Sequence, residues 1–153
     1  MKKSSLISLL YSLVLISCEG IGKREIDANG RFRLPDNDPD LIKAKSEAQL
    51  ELSHYIDEFY KKSADTNYFF IVKMRFEENG QGEHMWVNPI RFDTFKFIGI
   101  LHDQPADLLG LHQGDTITGD RLEIEDWVIY DNLHHTETGS FYENILAKRE
   151  KKQ

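Results

Sequence analysis

The sequence predicts an α+β domain, with one long N-terminal amphipathic helix packed on an antiparallel sheet of about five strands. Three observations predict it. Leu41, Ala44, Ala48, Leu52, Tyr55 and Phe59 recur at intervals of three or four, which makes one apolar face of a helix. From Tyr68 onward the apolar period changes to two, the period of a strand. Short turn signals, Asn79-Gly80, Gly114-Asp115 and Asp131-Asn132, then separate successive runs, as in strands joined by tight connections.

The chain opens with a different kind of segment. Lys2 and Lys3 precede an apolar run of eleven residues, Leu6 to Ile16, broken only by Ser8 and Ser12. That run is too short to span a bilayer and suits the core of a secretory signal. It ends in Leu15-Ile16-Ser17-Cys18. This resembles the bacterial lipobox, in which a small residue precedes the cysteine that is lipidated and becomes the mature N-terminus. Residues 1–17 are therefore expected to be a lipoprotein signal peptide, with Cys18 carrying diacylglycerol and an amide-linked acyl chain such as palmitate.

Cys18 is the only cysteine. Once lipidated, it leaves no thiol for a disulfide, a metal site or a nucleophile. Its acyl chains, at about 0.8 kcal/mol per buried methylene, exceed what stable anchoring needs. Glu19 stands where enteric bacteria place an inner-membrane retention aspartate, so by analogy the expected location is the outer membrane, facing the periplasm. Residues 18–37 are polar, with Gly20, Gly22, Gly30 and Pro35, and read as a flexible tether.

The domain is expected over residues 38–146. Asp38 suits an N-cap and Pro39 the first helical position, where a missing N–H costs nothing. Asp40 in the first turn and Lys61 and Lys62 in the last match the helix dipole, giving one helix of about 22 residues. Tyr68 to Phe76, Glu83 to Arg91, Thr94 to Leu101, Thr116 to Thr118 and Glu123 to Tyr130 read as strands. Phe141 to Ile145 is expected to dock on the core, and residues 147–153 to form a charged tail.

Charge narrows the partners. The chain has 19 basic and 26 acidic residues, net −7. Loss of Lys2 and Lys3 with the signal would leave 17 basic against 26 acidic, net −9. This argues against nucleic acid, which needs a basic surface, and the membrane is to be engaged through lipid rather than headgroup charge. No cofactor is expected, since glycine-rich phosphate loops are missing. His102-Asp103, His112, Asp115 and His134-His135 lack metal-ligand spacing, so no metal is assigned.

Glu83-His84-Met85-Trp86-Val87 and Glu125-Asp126-Trp127 hold both tryptophans, each beside a group able to exchange a proton. Alternation puts Glu83, Met85 and Val87 on one strand face and His84 and Trp86 on the other. The Met85/Val87 side is expected to pack under the helix. A tryptophan on the opposite face would bury its ring while its N–H reaches a partner such as Asp126. His84 with Glu83 or Asp126 is the candidate acid–base pair. No nucleophile motif surrounds these residues, so His84 and Asp126 are read as hydrogen-bonding struts for the indoles in preference to catalytic groups.

Lys73, Glu83-His84-Met85-Trp86-Val87, Phe97-x-Gly99-x-Leu101, Pro105, Gly114-Asp115 and Ile124-x-Asp126-Trp127 occur in this order. Together they resemble the YegJ-like bacterial family known as domain of unknown function 2314, over residues 40–142. His102-Asp103-Gln104 departs from the asparagine that members often carry there, and Gly139-Ser140-Phe141-Tyr142 is a looser fit to the family's C-terminal motif. The resemblance implies an α+β domain and no activity.

Three function classes follow. The first is a lipid-anchored binding or accessory module of the cell envelope, with Trp86, Trp127, His84 and Asp126 forming a recognition patch for a protein or peptide. The second is an inhibitor or immunity-type protein whose acidic surface steers it to a basic toxin or hydrolase. The third is a hydrolase using His84 with Glu83 or Asp126. The first is favoured.

Overall fold

The structure, a computed structural model, describes residues 25–26, 32–33 and 35–151. The expected signal peptide, Cys18 and most of the tether lie outside the described residues. The chain divides into two units, Met1–Pro35 and Asp36–Gln153. In the first, two short strands, β1 (Glu25–Ile26) and β2 (Phe32–Arg33), pair antiparallel.

The second unit holds three helices and a six-stranded antiparallel sheet. Its elements are α1 (Pro39–Leu50), α2 (Leu52–Lys62), β3 (Tyr68–Glu78), β4 (Gln81–Phe92), β5 (Lys96–Leu101), β6 (Thr116–Asp120), β7 (Ile124–Asp131), β8 (Thr136–Gly139) and α3 (Phe141–Glu150). Strand order is β6-β5-β4-β3-β7-β8. The two-residue turn Asn79-Gly80 joins β3 to β4 with both residues at positive φ, 52° and 79°; the Asn-Gly pair tolerates this, and the geometry suits the twist of a hairpin.

The sheet is strongly curled. In strand order β6 and β7 are four spacings apart, about 19 Å at 4.8 Å each. Only the 3-10 turn Arg121–Glu123 connects them, and four residue steps reach at most about 14 Å. The ends must therefore approach each other across the core. Gly119 of β6 lies so close to β3 that a Cβ there would come within 3.1 Å of the Met74 sulfur.

The predicted single long helix is broken in two at Glu51, where φ is −94° and ψ is 1°. No proline or glycine causes this. The indole N–H of Trp127 donates to the Ala48 carbonyl at 2.9 Å, and a side chain inserted into the helical hydrogen-bond ladder is a known source of a kink. The amide of Gln49 donates to the Arg121 and Ile124 carbonyls, holding the same turn to the start of β7. At the start of α1, Asp38 caps the N–H groups of Asp40 and Leu41 as expected.

The C-terminal end also differs from expectation. The helix α3 continues through the predicted tail boundary, because Arg149 finds partners: its guanidinium donates to both Asp38 carboxylate oxygens, at 2.8 and 2.9 Å, and to Asp40. Strand β8 was not anticipated; its four residues are polar or glycine and carry no apolar alternation.

The core lies between the α1/α2 pair and the inner sheet face. Tyr55, Phe59, Phe70, Phe92, Phe97 and Trp127 form its aromatic centre. Tyr60 clamps the end of β4, donating to the Phe92 carbonyl and accepting from its N–H. Tyr55 is fully buried, and its hydroxyl has no hydrogen-bond partner among the described residues. Burial pushes that phenol well above its ordinary value.

Two outcomes follow. Tyr55→Phe removes a desolvated hydroxyl without changing shape, so the urea midpoint should hold or rise, by up to about 1 kcal/mol in stability; a clear fall would show that the hydroxyl is bonded. For Asp38, burial raises the carboxyl, but Arg149 and two backbone N–H groups outweigh it and hold it below its ordinary 3.8. A depressed folded value means stabilisation that is complete above the unfolded value and is lost as pH falls through the folded one. Asp38→Asn keeps the cap, lowers stability at neutral pH and should flatten the acid limb of the melting curve below about pH 4; an unchanged acid slope would refute the link.

Candidate binding face

The register of β3 with β4 pairs Val72 with Val87, Lys73 with Trp86, Met74 with Met85 and Arg75 with His84. Met85 and Val87 therefore enter the core, and His84 and Trp86 lie on the face turned away from α1 and α2, as alternation predicts. Glu83 shares the core side and is 5% exposed. Its carboxylate accepts the N–H of Ala106 at 3.0 and 3.1 Å to its two oxygens, and that of Asp107 at 3.3 Å. Glu83 thus fastens the loop after β5 and faces away from His84.

The partners of His84 are Glu125, at Nδ1, and Asp36, 3.2 Å from Nε2. The predicted pairing of His84 with Glu83 or Asp126 is corrected on this point. A register shift between Lys73 and Met74 leaves Glu125 as the extra residue of a β-bulge, with Asp126 opposite Lys73 and Ile124 opposite Met74. A bulge re-aims side chains, and here it turns Glu125 toward the imidazole. Lys45 Nζ stands 3.4 Å from Glu125, and Arg75 Nε 3.5 Å from Asp36. Burial pushes the Glu125 carboxyl up, but His84 and Lys45 outweigh it and hold it below its ordinary value.

Both imidazole nitrogens face carboxylate oxygens. The Nε2 that a general base would present to a substrate proton faces Asp36. Because Asp36 and Glu125 approach opposite nitrogens, they do not converge on one point. Among the described residues, no group of three or more His, Cys, Asp or Glu side chains is placed to hold a metal ion.

Asp126 is wholly buried. It accepts the N–H groups of Phe141 and Tyr142 at 3.0 and 2.9 Å, besides that of Trp127. It thereby supplies the cap that Ser140, in a left-handed conformation with φ 60°, does not make with its own side chain. Burial pushes the Asp126 carboxyl above its ordinary value, against three backbone donors and Lys73, which pull it down.

The two tryptophans do not share a surface. Trp127 pairs with Val72, is 2% exposed and packs on Tyr55 and Phe141, which corrects its placement in an exposed patch. Trp86 remains on the outer face, half-buried, its backbone N–H held by Asp103. Lys73 beside it has its ammonium 5.1 Å from the Trp86 ring centre, 4.2 Å from that of Tyr142 and 3.4 Å from a Glu143 oxygen.

Further along this face Phe69 and Tyr130 are register partners, with ring centres 5.9 Å apart. The His102 ring stands edge-on to Phe69 at 5.8 Å and bonds through Nδ1 to the Asn88 side-chain oxygen Oδ1. Sequence reasoning missed Asp36, Glu125, Tyr142, Glu143, Phe69 and Tyr130 as neighbours. The β3 alternation, continued from Lys73, already aligned Phe69 with the Trp86 face; nothing in the sequence marked Glu143.

A family profile described as an uncharacterized protein conserved in bacteria matches residues 38–152. The chain belongs to this family, domain of unknown function 2314. Over 81 residues it is 28% identical to the uncharacterized protein YegJ of Escherichia coli, covering 53% of this chain and 51% of that one. Over 68 residues it is 32% identical to a putative ankyrin repeat protein of Neisseria meningitidis serogroup B, covering 42% of this chain and 27% of that one. The chain thus spans about half or less of the length of these curated relatives. No solved structure matches it. The family range includes α3 and its Arg149 clamp.

Capping by Asp126 has a local signature. Asp126→Ala should cost about 1–3 kcal/mol and speed amide exchange at Phe141 and Tyr142 beyond the global change. Protection retained at those two amides would remove the capping role.

Proposed function

We propose that this member of the family is a non-enzymatic binding or accessory module of the bacterial cell envelope, held there by lipid on Cys18. It works through the sheet face turned away from α1 and α2. The observation that carries this reading is the row of aromatic side chains on that face. Phe69 and Tyr130, each 36% exposed, and the half-buried Trp86 further along β3 and β4 all project from this face. Aromatic groups amid polar ones suit recognition, because they bring contact area with few rotors to freeze.

Catalysis is the poorer reading. Glu83, His84 and Asp126 are each engaged in a separate structural task, and the imidazole is enclosed by carboxylates. The lipid anchor rests on Leu15-Ile16-Ser17-Cys18 and the apolar run before it. No helix among the described residues is long and apolar enough to cross a membrane.

The two tryptophans separate folding from capture. Trp127→Ala should lose about 3–5 kcal/mol, whereas Trp86→Ala should cost about 1 kcal/mol and abolish partner recovery in an envelope cross-linking assay. Undiminished recovery by a folded Trp86→Ala variant would overturn the reading. In the same cells Cys18→Ser should lose label from radioactive palmitate and leave the membrane fraction; persistent labelling would rule out Cys18 as the anchor.

A further inference from the structure

The outer sheet face already displays how it holds a cation. The Lys73 ammonium sits between the Trp86 and Tyr142 rings with the Glu143 carboxylate beside it, and only 12% of its side chain remains exposed. Ring faces attract cations through their quadrupole, and a neighbouring carboxylate adds charge and a hydrogen-bond acceptor.

Among the described residues the same chemistry recurs at Phe69 and Tyr130 with no Lys or Arg over either ring, the His102 ring standing edge-on to Phe69. The two rings are tilted 37° to each other and share solvent exposure. Glu137 lies directly across from Tyr130 in the pairing of β7 with β8. Burial first, then the charges of Glu137, Glu143 and Asp126, push the Tyr130 phenol above its ordinary value; the field at this ring is negative. Among the described residues, cations stand over Tyr68, Trp86 and Tyr142, and none over Phe69 or Tyr130.

We propose that Phe69, Tyr130 and Glu137 form a second cation seat, which takes a lysine or arginine side chain from an extended segment of a protein partner. This rests on the reading of the face as a binding surface and names the chemistry of what it binds. Charge complementarity selects the occupant. The chain is net −7, so a basic segment is drawn to it and a second copy of the chain is repelled. The aromatic pair then supplies local discrimination that net charge alone lacks.

The test is an amide NMR titration of the detergent-solubilised full chain with N-acetyl-arginine amide, N-acetyl-lysine amide and the neutral isostere N-acetyl-citrulline amide. Saturable shifts should centre on Phe69, Tyr130 and Glu137 with the two cations, and citrulline should bind about threefold or more weakly. Glu137→Gln and Tyr130→Leu should each remove the preference for the cation while leaving the rest of the spectrum in place.

Equal binding of citrulline overturns the proposal, as do shifts that disperse over the acidic surface. Self-association that Tyr130→Leu abolishes would also overturn it, making a second copy the occupant. Cross-linking distinguishes the two levels of failure. Partner recovery that depends on Trp86 but not on Glu137 leaves the binding face standing and removes the seat; loss of both dependences removes the face as well.

Discussion

The bond from the Trp127 indole to the Ala48 carbonyl is the constraint on which the rest of the domain depends. It joins the middle of β7 to the turn where α1 ends and α2 begins. Through it the indole breaks one helix into two, so that both segments follow the curl of the sheet. Tyr55 packs on one part of the ring and Phe141 on another. Gly139 passes so close that any side chain there would collide with the Trp127 backbone and ring. Asp126, one residue earlier, caps α3. One dipeptide thus positions all three helices, apolar anchoring falling to Trp127 and polar anchoring to Asp126.

The charged groups divide in a similar way. Asp38 and Arg149 close α1 against α3, while Asp36, Arg75, His84, Glu125 and Lys45 form a chain of contacts from the segment before α1, across the outer sheet face, to α1 itself. Exposed pairs of this kind contribute little individually. Their consequence is geometric: they hold the start of the domain beside β3 and β4. His84, flanked by Glu125 and Asp36, is one link in this chain of contacts.

Sequence periodicity reached the alternation in β4 correctly, and with it the inward Met85 and Val87 and the outward His84 and Trp86. It reached the helix cap at Asp38 and the α+β class as well, because caps and amphipathic patterns are local. It failed where the cause was distant or broke the period. The bulge at Glu125 adds one residue to β7, so strict alternation does not lead to the glutamate that meets His84. Trp127 resembled a second exposed tryptophan because its partner, a main-chain carbonyl 79 residues away, has no sequence signature. The helix α3 turns Phe141, Tyr142, Ile145 and Leu146 to one half-buried face, but its cap by Asp126 and its clamp by Arg149 are long-range and have no local signature.

The outer face is more than the side left over when the helices have packed. Ile71 and Val128 are register partners there, yet they are 5% and 1% exposed. α1 and α2 lie on the other side, so these two are covered from elsewhere, and α3 also reaches this face through Tyr142 and Glu143. The aromatic side chains of the face stand in the same layer as this apolar floor. A ring in such a layer is already ordered before any partner arrives, so binding to it forfeits less conformational entropy than binding to free surface side chains. His102 against Phe69, with Asn88 holding its imidazole and the Phe70 carbonyl holding the Asn88 amide, extends that order to the rim. The buried floor and the hydrogen-bonded rim together give this face a fixed geometry.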